Sequence, residues 1–417
     1  MASNSSCSLM IATEPGHDPV LVVTGSNNEC CSYDITSLPS QSYQSDKKFT
    51  CTMAQMATPS IPPLMRAAQI SEYGKPYELV ERHVPEVRDN ELLIRVHAAG
   101  FCHSDLQVLQ GQFKSPLGMI PSHEPAGVIV KVGAKCSSAW KIGDRVGALN
   151  YKNSCGECSG CGLTKRTSGQ LDPRFCDKRE TAGFQHDGAF AEYLSIDPET
   201  TVRLPASLSF DQAAPLMCAG ATVWGSLERA TAGLSPGETV AVVGIGGLGH
   251  LGLQFATAMG FRTIAIDNRP AGRQLATEMP NEALKPALVV DSGAEDATAN
   301  IMDFTNGEGV SAVVVCTDSL AANNWALSIL RIGGVMGVLG LPADAWRFDS
   351  SVIVFKELTI RGSYVASRTA TERMMSIVEE AGVRSHITLV PFDGIPGIVE
   401  TYQDSHFRGR LVVQVTQ

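Results

Sequence analysis

Nowhere in the 417 residues does an apolar run approach the roughly 18 residues that a membrane-spanning helix requires, which excludes an integral helical membrane protein. Basic residues are in deficit, 33 Lys and Arg against 43 Asp and Glu, for a formal charge of −10. A surface of that sign repels a phosphate backbone, so nucleic-acid binding is not expected. The chain opens without a basic segment leading into a sustained apolar core, so no secretory signal is read there, and the amphipathic, Arg-rich pattern of a mitochondrial presequence is also missing. A reducing, cytoplasmic setting is the expectation. The 39 glycines and 22 prolines follow no period, which excludes collagen and repeat arrays. What remains is an ordinary globular composition, 44% hydrophobic and 18% charged, with length for two domains. In a reducing setting, twelve cysteines point to metal or chemistry rather than to disulfides.

Three regions differ in pattern. Residues 1–64 are dominated by Ser, Asn, Thr and Pro, hold only the short apolar run Val20 to Val23, and are expected to be disordered. Cys7, Cys30, Cys31 and Cys51 in this stretch have no metal-type spacing. From Met65 to about Pro205, short β-branched runs such as Glu91 to His97 and Gly127 to Val132 are punctuated by glycine, the pattern of a β-rich module. From about Phe210, apolar runs at Val240–Val243, Thr263–Ile266, Ala287–Val290, Ala312–Val315, Val335–Leu341 and Leu358–Ile360 alternate with helix-length stretches. Alternation of this kind predicts an α/β domain with a doubly wound parallel sheet and right-handed crossovers. After Arg361, a helix-like stretch, Thr371–Ala381, and a strand, Arg410–Val415, are expected to pack back on the first module. The expected domains are therefore 65–217 with 361–417, and 218–360.

The run Thr239–Val243 opens directly into Gly244-Ile245-Gly246-Gly247-Leu248-Gly249, and a helix-like stretch, Leu251–Met259, follows. Gly244 suits a tight turn, Gly246 and Gly247 let backbone approach a pyrophosphate, and Gly249 lets the helix pack against the strand, with Leu248 between them. The helix N-terminus then faces the anion. Asp267 ends the next apolar run 23 residues after Gly244, the spacing of a ribose ligand. Its carboxylate accepts hydrogen bonds from a 2′-hydroxyl and repels a 2′-phosphate, which favours NAD over NADP, although Arg269 and Arg273 follow closely and attract phosphate. His250, just past the turn, is read as capping solvent-facing backbone.

Cys155, Cys158 and Cys161 form a knuckle of three thiols with two residues between each, and fourteen residues separate Cys161 from Cys176. Four thiolates around one tetrahedral centre describe a structural zinc, with Cys176 either completing the set or remaining a free thiol. A second, dispersed set comprises Cys102-His103-Ser104-Asp105, Ser122-His123-Glu124 and Met217-Cys218. Two thiolates and an imidazole suit a catalytic zinc that keeps one position free.

Taken together with Lys141-Ile-Gly-Asp-Arg-Val146, Cys218-Ala-Gly-Ala-Thr222 and Gly362-Ser-Tyr-Val365, these fragments fall in the order of a known family. From about Met65 to Gln417 the chain resembles the zinc-dependent alcohol dehydrogenases of the medium-chain dehydrogenase/reductase superfamily, closest to the yeast-type, fungal branch. The resemblance implies a GroES-like catalytic domain beside a Rossmann domain, two zinc ions per chain, NAD as cofactor, a small alcohol or aldehyde as substrate, and a homodimer or homotetramer. It implies that Cys102, His123 and Cys218 hold the catalytic zinc with Glu124 beside them, and that Asp105 orients His123. Ser104 would pass the alcohol proton outward, Thr222 would lie against the nicotinamide, and His103 and Arg410 near the pyrophosphate, with Arg273 another cofactor contact. Three positions depart from the pattern. Gln107 stands where the yeast-type enzymes have a relay histidine, Ser122 replaces a glycine, and the loop before Cys176 is longer than usual. A bulky aromatic is also replaced near Asn150 and Tyr151, so a larger, more polar cavity and a substrate larger than ethanol are expected. A polyol or sugar dehydrogenase, or a non-catalytic dinucleotide-binding relative, are the alternatives.

Overall fold

The computed structural model describes residues 8–12, 20–24, 30–33 and 61–416. Residues 1–57 form a unit of their own. Within it the described strands Ser8–Ala12, Val20–Thr24 and Cys30–Tyr33 pair antiparallel, with Leu21 opposite both Ile11 and Tyr33. The apolar run Val20–Val23 pairs with the first strand, and from Leu21 on with the third as well. Cys30 and Cys31 lie in the third strand, while Cys7 and Cys51 are outside the described residues.

In the second unit, the first sheet is built on the long strand Leu92–Phe101. It pairs antiparallel with Glu124–Val132 and with Arg410–Gln414, so the last strand of the chain lies beside one of the first (Leu411 opposite Phe101). Arg145–Ala148 and Thr201–Arg203 extend the sheet on one side, Ile387–Pro391 on the other, and Tyr193–Ile196 also pairs with the central strand. Apart from the parallel pair of Ile387–Pro391 with Arg410–Gln414, the ladders are antiparallel, and this is the GroES-like half of the fold.

The second sheet is wholly parallel. Its six strands run in the spatial order Leu288–Val290, Arg262–Ile266, Thr239–Val243, Val310–Val315, Leu330–Val338, Thr359–Gly362. Thr239–Val243 and Val310–Val315 are buried at every position, as β-branched runs covered by helices on both faces must be. The first strand sits at the centre and the order reverses beside it, which makes the carboxyl end of Thr239–Val243 the crevice of a Rossmann fold. Each expected strand of this half is present, with ends shifted by a few residues.

The helix Ala219–Ala230 begins at Cys218 and packs against both Gly249–Ala258 and Arg368–Ala381. Gly225 lies in its interior, and a Cβ there would stand 2.2 Å from the Val365 carbonyl oxygen. Val365 itself has a left-handed backbone (φ +50°), so the chain after the last parallel strand is pinned against this helix. An Ala in place of an interior helical Gly ordinarily adds about 0.5–1 kcal/mol of stability. Gly225→Ala should reverse that sign and cost about 1–3 kcal/mol through overpacking; urea unfolding that shows a stabilised variant would contradict the packing described.

Candidate active site and metal centres

Cys102 caps the short helix His103–Leu109, and the third residue of that helix, Asp105, returns its carboxylate to the cap. Asp105 Oδ2 accepts the Cys102 backbone N–H at 2.8 Å, and Oδ1 accepts Nδ1 of His123 at 3.0 Å. Asp105 has no solvent exposure and His123 only 3%. With its Nδ1 proton directed at a carboxylate, His123 turns the lone pair of Nε2 the other way. There Cys218 Sγ lies 3.2 Å off, and the ligand atoms of Cys102, His123, Glu124 and Cys218 all lie within 4.8 Å of one another.

Four distant stretches of sequence thus meet at one point. Ser122, which sets the entry of His123, is fully buried in the left-handed region at φ +74°, and its Oγ donates to the Gly100 carbonyl at 2.8 Å. That conformation costs a non-glycine residue about 1–2 kcal/mol, which the buried hydrogen bond offsets in part.

The electrostatics of the cluster follow from burial and from one cation. The Cys102 thiol is held far below its ordinary range by the hydrogen bond from Cys218, with Arg410 and His123 adding to the effect, and Cys218 is pushed up because Cys102 takes the negative charge first. Burial raises the Glu124 carboxyl to about 7 against the pull of Arg410. Glu124 Oε1 accepts a hydrogen bond from Arg410 Nη2, while Glu124 Oε2 is buried and has no partner among the described residues. Two thiols, an oriented imidazole and an unsatisfied carboxylate oxygen in a buried site fit a zinc ion.

The knuckle is a second such cluster. The thiols of Cys155, Cys158, Cys161 and Cys176 lie within 4.8 Å of one another. The long loop before Cys176 folds into a helix, Ser159–Ser168, stopped by Gly169 in the left-handed region, and a short turn, Pro173–Phe175, so the extra residues do not move Cys176 away. Backbone N–H groups point at the sulfurs: Cys155 N to Cys176 Sγ at 3.3 Å, Lys178 N to Cys176 Sγ at 3.4 Å and Asp177 N to Cys158 Sγ at 3.4 Å. N–H groups of Glu157 and Cys158 bring the Cys155 thiol down to about 6. A thiolate-favouring shell around four sulfurs suits a closed zinc site.

At the Rossmann crevice, Gly244 takes φ +88°, and a Cβ on Gly249 would lie 2.1 Å from the Gly244 carbonyl oxygen. Leu248 is the cap residue of the helix Gly249–Ala258. Asp267 is buried, with Oδ2 accepting the Ile245 backbone N–H at 2.7 Å. The arginine on its carboxylate is Arg269, which donates from its backbone N–H (2.8 Å) and its guanidinium. Arg273, expected at the cofactor, instead donates to the Asp267 carbonyl oxygen at 3.0 Å and pairs with Asp291 at 3.0 Å; four residues along the chain, it reaches a neighbouring acid. Thr222 lies one turn along the helix from Cys218, its N–H donating to the Cys218 carbonyl at 2.8 Å. His103 is exposed, with Nδ1 3.4 Å from Tyr402 Oη, and Ser104 is half-buried beside it. His250 is 1% exposed, not at solvent as expected.

The wall of the site also differs from expectation. Tyr151 is buried with its ring on Tyr364, 5.4 Å between centroids. The aromatic beside the metal cluster is Phe184, 5.0 Å from the His123 ring, with Phe113 5.2 Å beyond it. Sequence reasoning missed both. The loop that carries Phe184 approaches Ser122 closely at Gly188, where a Cβ would lie 2.0 Å from the Ser122 carbonyl oxygen.

Two family models match the chain: the alcohol dehydrogenase GroES-like domain over residues 88–206, and zinc-binding dehydrogenase over residues 247–380. An alcohol dehydrogenase of Rhizobium meliloti is 36% identical over 353 residues, covering 84% of this chain and 99% of that one. Alcohol dehydrogenase 1 of Emericella nidulans is 31% identical, covering 85% and 99%. Among solved structures, the alcohol dehydrogenase of the archaeon Aeropyrum pernix superposes with a TM-score of 0.72 at 27% identity, covering 84% of this chain and 99% of that one. With matches on both halves of the fold and two clusters able to hold metal, the chain belongs to the zinc-binding medium-chain dehydrogenase/reductase superfamily, among its alcohol-dehydrogenase-like members.

Proposed function

We propose that this protein is a zinc-dependent alcohol dehydrogenase and aldehyde reductase that uses NAD(H) and acts on an alcohol or carbonyl compound larger than ethanol. The observation that carries the reading is the buried cluster of two thiols and an imidazole, with Asp105 fixing the imidazole, at the start of the helix that also bears Thr222. Cys102, His123 and Cys218 would hold the catalytic zinc with Glu124 beside it, and Cys155, Cys158, Cys161 and Cys176 the structural one. The catalytic portion comprises 65–217 with 361–417, and the cofactor portion 218–360. The Cys218-Ala-Gly-Ala-Thr222 motif supports the yeast-type branch, and the similarity to the Emericella nidulans enzyme is in keeping with a fungal placement.

Zinc supplies Lewis acidity toward the substrate oxygen when bound, and the nicotinamide supplies or accepts the hydride. The chain's own residues orient the reactants and move the proton. Asp105 holds Nδ1–H of His123, which turns Nε2 toward the cluster and makes the ring more basic. Ser104, half-buried on the first turn of the same helix, gives the alcohol proton a route outward. Gln107 does not titrate near neutral pH, so no histidine relay follows Ser104 at that position. Phe184 and Phe113 give the cleft an apolar wall, and half-buried Asn150 stands where a bulky aromatic is usual. An aromatic or functionalised aldehyde matches that wall.

The Asp267 carboxylate faces the cofactor turn and supports NAD over NADP; its pairing with Arg269 moderates the repulsion of a 2′-phosphate without reversing it. A homodimer or homotetramer is supported by Ile332, Val354 and Phe355, which are 74%, 66% and 82% exposed near the parallel sheet's edge strand, Thr359–Gly362.

Elemental mass spectrometry of the purified protein should find two zinc ions per chain. Cys176→Ser should reduce that to one and lower the melting temperature while leaving NADH binding intact; an unchanged zinc content would remove Cys176 from the closed site. Ser104→Ala should lower kcat at least about tenfold with little change in KM, and unaltered turnover would exclude the proton route. In steady-state assays over an aldehyde panel, kcat/KM with NADH should exceed that with NADPH by about tenfold or more. In the same panel, Phe184→Ala should cost benzaldehyde about 10–200-fold and acetaldehyde much less; equal losses for both would detach Phe184 from substrate recognition.

A further inference from the structure

The segment Arg384–His386 precedes the strand Ile387–Pro391, and side chains do most of the work of a ladder there. Gln254 takes both backbone groups of Arg384: Oε1 accepts its N–H at 3.0 Å and Nε2 donates to its carbonyl at 2.8 Å. Gln212 does the same for Ser385, at 2.8 and 3.1 Å. The N–H of His386 donates to Nε2 of His250 at 3.1 Å, and the His386 carbonyl accepts the backbone N–H of Arg410 at 2.9 Å. All six backbone polar groups are thereby satisfied.

The contact from His386 settles the state of His250. A backbone N–H can only donate, so Nε2 is unprotonated and the ring is neutral with its proton on Nδ1. That proton is donated to the Gly246 carbonyl at 2.8 Å, a second donor beside the backbone N–H of residue 250 at 3.2 Å. Burial, with Arg410 and His386 nearby, pushes the imidazole down to about 4, so the neutral form persists through the physiological range.

Gly246 is the second glycine of the cofactor turn. In a trans peptide the carbonyl and the next N–H point in opposite directions, so holding the Gly246 carbonyl toward the helix turns the Gly247 N–H away from it. Gly247 also lies against Arg410, since a Cβ there would stand 2.8 Å from Arg410 Cδ. Arg410 is 4% exposed, and its Nε has no partner among the described residues.

We propose that His250 is a positioning residue for the dinucleotide, fixing the Gly246–Gly247 peptide through Nδ1–H and tying it through Nε2 and His386 to the strand start that delivers Arg410. The anion then meets an N–H group and a guanidinium held in fixed relation by one ring. The proposal rests on the glycine turn being the cofactor site.

The test uses the zinc-loaded full chain and NADH, with binding read from nicotinamide fluorescence and melting temperature read in parallel. His250→Phe, which fills the space but makes none of the ring's hydrogen bonds to Gly246, His386 and Ser385, should raise the NADH Kd about tenfold and leave kcat at saturating NADH within about twofold. His250→Gln, whose amide donates and accepts at once, should recover much of the affinity. An NADH Kd for His250→Phe within about twofold of wild type, whatever its melting temperature, would overturn the proposal. Wild-type protein that does not bind NADH would overturn the cofactor reading itself, a separate outcome. If His250→Phe does not fold, long-range proton–nitrogen correlation on 15N-histidine-labelled wild type decides: a buried, Nδ1-protonated ring that does not titrate above about pH 5 is expected, and the opposite tautomer would overturn it.

Discussion

The Asp105 carboxylate is the constraint around which the catalytic half is assembled. Placed without solvent contact, an ionised carboxylate is costly unless each oxygen finds donors. Its two donors are the N–H of one metal-ligand candidate and the ring of another. A single side chain therefore fixes the direction from which Cys102 leaves its helix cap and the rotation of the His123 ring. The position of Asp105 in the first turn of that helix adds the favourable end of the helix dipole. Breaking a buried arrangement of this kind by removing one partner costs several kcal/mol, about 3–5, because the remaining charge is stranded. Cys102 and His123 both take their geometry from this one residue.

Local chemistry was legible in the sequence, and long-range contact was not. The parallel strands announced themselves as β-branched runs because both faces of a Rossmann sheet are covered. The knuckle was legible because three thiols two residues apart have few other uses. Cys176 could not be assigned from spacing, since a fourteen-residue gap leaves its reach open until the intervening residues are known to form a helix and a turn. Arg269 and Arg273 sit four residues apart and look equivalent in sequence; the turn into the helix gives Arg269 the Asp267 carboxylate and leaves Arg273 to Asp291. Phe184 was missed because its position depends on a backbone approach between Gly188 and Ser122 that no pattern encodes.

The lengthened knuckle has a consequence beyond its metal cluster. Arg174, 8% exposed, is held by the Asp172 carboxylate and donates to the Tyr364 carbonyl at 2.7 Å. Phe175 stacks edge-on to Tyr364, and Arg179 lies over the same ring. Tyr364 in turn touches Tyr151, whose hydroxyl environment includes Cys218. The extra residues therefore brace the chain that leaves the last parallel strand, at the place where Gly225 admits the Val365 carbonyl. An insertion that would otherwise be a loose loop becomes a support for one side of the cleft.

Charge balance explains why Glu124 and Arg410 lie between the cluster and the glycine turn. Two thiolates would balance a bound dication, and His123 would ligate it as a neutral imidazole through Nε2 with its Nδ1 proton held by Asp105. Asp105 is compensated by its N–H donors and the helix terminus. Glu124 would then be an excess negative charge in a buried site, and Arg410 cancels it through a direct contact. The same guanidinium lies against Gly247, with its Nε lacking a partner among the described residues. One buried side chain therefore makes contact with both halves of the fold.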